Sequence, residues 1–181
     1  MAVNSGIFRP YDYPMFDGEN IDFVKVGTDT LQNGYLVVAD EIVGTYLDGY
    51  GGLYNPTKPA AITDANLAVV CAEEYYEDEL GNRIDIDDPT VIQFTTGKRI
   101  RVLRPALNKK YFATNGLISG NLAVGAYVIP TASSYGFTIA EDLIDNPKLA
   151  FKIEEINVKD TFVGLQAQTG VRLRCVRALG E

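Results

Sequence analysis

Short apolar runs separated by turn residues dominate the chain. Runs rich in β-branched and aromatic residues cover 21–26, 35–43, 91–95, 99–103, 126–129, 135–139, 150–158, 162–167 and 171–176. Their spacing predicts a mainly β fold, a β-sandwich or barrel of short strands. Asn33-Gly34 and Asn115-Gly116 predict tight hairpins, because both dipeptides tolerate the positive φ such turns need, and Asp17-Gly18 and Asp48-Gly49 are further turn candidates. In the last run Val171, Leu173 and Cys175 alternate with Arg172 and Arg174, so the first set faces a core and the second faces out. Arg177 falls out of phase, which calls for a bulge or a strand end.

Three stretches break this pattern. Residues 63–66 could cap a helix over 67–74, but Val69-Val70-Cys71 and Tyr75-Tyr76 suit a strand, the reading we adopt. Residues 45–58, with Gly49, Gly51, Gly52, Tyr46, Tyr50, Tyr54 and Pro56, read as an ordered surface loop whose tyrosines pack or bind. Between Gly6 and Asn20 two prolines favour extended backbone. There Ile7, Phe8, Tyr11, Tyr13, Met15 and Phe16 are too apolar for a solvated tail. This segment either packs on its own domain or docks on a neighbouring subunit. The organisation expected is an extended arm over 1–20 and a β-rich domain over 21–181. A weak echo between 30–38 and 116–124 raises a division into two small β-subdomains near residue 105.

Composition narrows the chemistry. With 181 residues the chain can bury a substantial core without disulfides or metals. Histidine is absent, which removes the commonest general base, the Ser/His and Cys/His nucleophile pairs and the usual catalytic zinc ligands. We therefore expect no enzyme, no catalytic residues and no cofactor. The formal net charge of -8 has the wrong sign for wrapping nucleic acid. Cys71 and Cys175 are far apart and outside any CxxC, so they read as reduced core residues. The start of the chain lacks the basic and apolar stretches of a signal peptide, and no apolar run approaches a membrane span, so the expectation is a soluble protein made in the cytoplasm with no membrane partner.

Charged clusters have bland and functional readings side by side. Residues 73–88 hold eight of the 24 acids. They lack the alternating ligands of an EF-hand loop, and a glycosidase carboxylate pair would lack a tryptophan for sugar stacking. The reading preferred is a solvated hairpin with 80–83 at its tip and no metal bound. In 98–104 a strand would place Arg99 and Arg101 opposite Ile100 and Val102. Arg172 and Arg174 form a positive stripe that either pairs within the chain or docks acidic side chains of a partner.

The glycine and apolar pattern of 124–130, 134–137, 151–154, 163–166 and 171–177, together with 22–28 and 33–38, resembles the small β-rich head decoration, or cement, proteins of tailed bacteriophages. The resemblance implies a structural virion protein on the capsid surface, a homo-oligomer with a trimer favoured, bracing neighbouring subunits of the major capsid protein. It carries over no catalytic residue. An N-terminal arm contacting the shell would correspond to 7–16, and removal of residues 1–16 would leave the fold intact and abolish shell binding. The partner-binding residues expected are Ile7, Phe8, Arg9, Tyr11, Tyr13, Phe16, Tyr46, Tyr50, Tyr54, Arg172 and Arg174. The alternative is a tail, fibre or adhesin-like binding module using the 46–54 loop.

Overall fold

The computed structural model describes residues 6–11, 21–45, 52–71, 75–77, 83–85, 93–160 and 168–178. The fold is mainly β, with no α-helix among the described residues. A closed barrel is built from β2 (Ile21–Lys25), β5 (Gly52–Thr57), β4 (Leu36–Thr45), β6 (Leu67–Val70) and β10 (Arg99–Leu103) in that order around the ring, with β2 and β5 parallel and the other pairs antiparallel. A seven-stranded sheet has the order β1 (Phe8–Pro10), β11 (Lys110–Thr114), β16 (Gln168–Arg177), β15 (Ala150–Asp160), β13 (Tyr127–Pro130), β14 (Phe137–Ala140) and β12 (Ile118–Ser119). Two ribbons complete the fold, β3 (Leu31–Gln32) with β9 (Gln93–Phe94), and the hairpin β7 (Tyr75–Glu77) with β8 (Arg83–Asp85).

Two strands form the wall between barrel and sheet, and their sequences show why. Val37, Ala39, Ala68 and Val70 point into the barrel, where they meet Val24, Val102 and Tyr135. Leu36, Val38, Leu67 and Val69 point the other way, onto a core shared with Phe8, Tyr111, Phe137, Phe151 and Leu173 of the sheet. A strand buried on both faces needs an unbroken apolar run instead of an alternating one. That is the physical reason 67–70 is a strand, and why periodicity alone left it open to a helix reading.

Several turn expectations are corrected. Asn33-Gly34 does form a turn, closed by the Tyr35 N–H donating to Gln32 O at 3.2 Å, with Gly34 at φ 79°. It is no hairpin, because it passes the chain from β3, which pairs with β9, into the barrel strand β4. Asn115-Gly116 lies in a 3-10 turn over Asn115–Leu117. The stretch read as a loop over 45–58 contains β5, whose Pro56 sits opposite Ala39 next to a bulge, a position where a missing ladder donor is tolerated. β11, not expected from the sequence, pairs with both β1 and β16.

The N-terminal segment is part of this fold. Antiparallel register sets Phe8, Arg9 and Pro10 opposite Ala113, Phe112 and Tyr111. Thr114 N–H donates to Ile7 O at 3.0 Å and Tyr11 N–H to Lys110 O at 2.9 Å, so the odd-numbered residues bond inward. Pro10 therefore occupies an outward position, where its lack of an N–H leaves the ladder intact and blunts the sheet edge. Phe8 is 2% exposed, with its ring centroid 5.2 Å from Tyr111 and 5.5 Å from Phe151. These contacts weigh against the expectation that residues 1–16 can be removed without harm to the fold.

Candidate interaction surfaces

The sequence-derived contact residues divide sharply by position. Ile7 is buried with Phe112 and Val158, and Phe8 lies in the central core, so neither side chain is available to anchor a partner. Arg9 is half-buried on β1. Tyr11 is exposed and lies against Arg172, whose guanidinium carbon sits 5.3 Å from the ring centroid. Tyr54 is half-buried on β5, packed against the barrel core, with Arg104 at 5.3 Å over its ring. Arg104 is in turn held by Asp22 and by Ala39 O at 2.8 Å. Tyr54 is thus a wall residue of the barrel. Tyr13, Phe16, Tyr46 and Tyr50 lie outside the described residues.

The arginine stripe is already engaged within the chain. Arg172 Nη1 lies 2.9 Å from Glu155 Oε2, its Nε lies 3.5 Å from Glu154 Oε2, and Arg174 Nη2 bonds Glu154 Oε1. The register explains why two consecutive glutamates serve one arginine. Ile153 pairs with Leu173 and Glu155 with Arg172, so Glu154 is the extra residue of a β-bulge, which re-aims side chains to one side of the strand. A hydrogen bond to Tyr11 and the Glu155 and Glu154 carboxylates raise the Arg172 pKa above its ordinary value. At the other end of β16, Phe151 pairs with Cys175 and Ala150 with Arg177, so Val176 is the bulged residue that returns Arg177 to phase. Arg177 Nη1 then donates to Asn146 Oδ1 at 2.9 Å.

A feature that sequence reasoning missed lies on β4. Its pairing with β6 stops at Val38, so the segment from Asp40 onward is bonded only to β5 and presents a free edge among the described residues. Ile42 and Val43 on this edge are 65% and 48% exposed. Register shifts between Ala39 and Glu41, and between Ile42 and Gly44, make Asp40 and Val43 bulged residues. The signal in the sequence was the break in the alternation at Ile42-Val43-Gly44.

A shallow groove of about 190 Å³ opens at the barrel mouth between Gly27, Asp29, Asn55, Lys58 and Tyr135. Tyr135, in the connection between β13 and β14, donates its hydroxyl to Asp29 Oδ2 at 2.7 Å and stacks on Tyr35 at 5.0 Å. Burial, then the hydrogen bond and charge of Asp29, raise its pKa. Lys58 Nζ lies 5.1 Å over the same ring. Tyr35 and Lys58 both pack on the ring, and Tyr135 works first as a peg joining the β13–β14 connection to the barrel: its carbonyl accepts from Leu36 N–H at 2.8 Å.

Neither cysteine forms a disulfide. Burial pushes the Cys175 thiol up to about 12 and the Tyr111 hydroxyl up to about 12, which marks both as core groups in their neutral forms. Among the described residues no cluster of acids and cysteines is arranged to hold a metal. Of the acidic segment, the backbone hairpin β7–β8 is described, with Glu77 opposite Arg83. No family model matches the chain, and no curated protein matches it significantly.

Proposed function

We propose that this chain is a structural virion protein that binds the outer surface of a phage capsid and stabilises it by bridging neighbouring capsid subunits. The observation that carries this reading is the edge of β4 beyond Val38, which among the described residues is unpaired on one side and exposes Ile42 and Val43. A partner segment laid along that edge would gain main-chain hydrogen bonds and bury both side chains. Breadth of contact then matters more than a reactive group: a standard interface buries about 1,600 Å², and several linked contacts reinforce each other through effective concentration. The resemblance of the glycine and apolar pattern to that of phage cement proteins points to the same reading.

The test is decoration of shells stripped of accessory proteins, followed by cryo-microscopy. The wild-type chain is expected to appear as added density, and the double variant Ile42→Asp, Val43→Asp to be absent while keeping its thermal melting point. Bare shells with wild-type protein would overturn the reading. The groove of Asp29, Asn55 and Lys58 favours one other reading, a binding module for polar ligands such as glycans; retention of the isolated protein on a glycan array, lost on Lys58→Ala, would select it.

A further inference from the structure

The outer face of the large sheet carries a charge arrangement that the described residues do not neutralise. Lys110 pairs with Arg174 across β11 and β16, and Arg174 pairs with Lys152 across β16 and β15. Three cations therefore stand side by side in one cross-strand row about 10 Å long. Like charges directly opposite on neighbouring strands are unfavourable. Glu154 is the acid shared along the row: it bonds Arg174, and its Oε2 lies 3.9 Å from Lys110 Nζ and 3.5 Å from Arg172 Nε. One carboxylate cannot satisfy three such partners, and Glu155 serves Arg172 alone. Among the described residues Lys152 has no carboxylate partner; its ammonium lies 6.0 Å from the Tyr127 ring centroid. Four cations against two carboxylates leave a local excess of two positive charges on a chain whose net charge is -8.

The complementary surface is present in the same sequence. Residues 73–88 contain eight acids and one arginine. Among the described residues, the β7–β8 hairpin within that span pairs with no strand of barrel or sheet. We propose that the Lys110–Arg174–Lys152 row is a docking surface for the acidic 73–88 segment of a second copy of this chain. The contact is heterologous, since row meets hairpin and not row meets row, so each copy keeps one free row and one free hairpin to continue a ring. The overall negative charge opposes approach at long range, but at about 0.1 M salt the field is screened within about 10 Å and the local charges decide the contact. A nucleic acid is a poorer fit, because a chain of net charge -8 is repelled along most of its length. This contact is independent of shell binding and can be read in the isolated protein.

Sedimentation velocity on the full chain tests it. Concentration-dependent association is expected at about 0.1 M salt and its loss at about 1 M. Lys152→Glu with Arg174→Gln should weaken association roughly tenfold or more, as should Glu77→Lys with Asp85→Lys, each variant keeping the wild-type melting curve. Mixing the two variants should restore association, because each then offers the surface the other has reversed. A chain that stays monomeric at low salt would overturn the proposal, as would association indifferent to salt, or variants that do not rescue each other. If the monomer's binding to shells were instead lost in the Lys152 and Arg174 variant, the row would belong to a capsid partner and the second-copy assignment would fall while the cement reading stood.

Discussion

Gly170 sits inside β16 in ordinary extended backbone, yet a Cβ there would lie 2.1 Å from Ala113 O and 2.8 Å from the Phe112 ring. Space, not backbone freedom, requires glycine. Gly97 is the converse case: its φ of 87° is unfavourable to a side chain, but a Cβ would meet nothing within 4 Å. Gly170→Ala is therefore expected to cost about 2 kcal/mol or more, since the β11 backbone must shift. Gly97→Ala should cost only about 1 kcal/mol, from the left-handed backbone. Urea midpoints of the two variants check the ordering, and equal losses would mean that the close approach at Gly170 is relieved cheaply. Neither role was legible in the sequence. A glycine demanded by a neighbouring strand carries no local mark.

Strand β1 shows what a short element contributes once it closes a core. It is three residues long, an arrangement with little stability of its own, and it persists because Phe8 enters the aromatic cluster of Tyr111, Phe137 and Phe151. Phe8→Ala should lower stability by about 3–5 kcal/mol, and deletion of residues 1–11 should expose that cluster and yield aggregating protein. Thermal melting of the variant and solubility of the truncation are the measurements; a soluble truncation with an unchanged melting point would return the segment to the status of a detachable arm. Element by element, the strands with strong β-branched content were legible: β10 coincides with the expected 99–103, and β2, β4, β15 and β16 overlap their runs. β5 was hidden by Gly52 and Pro56, and β11 by its opening Lys110 and the Lys109 before it. Phe8 was sensed as needing a surface and lies buried in the core, but sequence cannot say whose surface an aromatic will find. The Arg172 and Arg174 stripe was legible as an outward face, whereas the Glu154 bulge that neutralises part of it depends on register between two strands.

At the scale of the molecule, the change from barrel to sheet falls between Leu103 and Lys110, which makes a two-unit architecture look natural. The packing argues otherwise. Leu36, Val38, Leu67, Val69 and Leu103 of the barrel share one core with Phe137, Phe151, Val171 and Leu173 of the sheet. β1 returns from the N-terminus to the sheet side, and Tyr135 reaches from the β13–β14 connection of the sheet into the barrel core. Neither half can bury its apolar surface alone, so unfolding should be one cooperative transition. The chain has no tryptophan, which makes tyrosine fluorescence the tertiary probe, and its urea transition should coincide with that of far-ultraviolet circular dichroism. Leu67→Ala on the barrel side and Phe151→Ala on the sheet side should each shift both probes together, by about 2–5 kcal/mol. A barrel-side variant that moved only the first of two resolved transitions would show that the interface is dispensable to each half. Cooperative loss is also what a brace requires, because load applied at one surface reaches the other only through elements that do not yield separately.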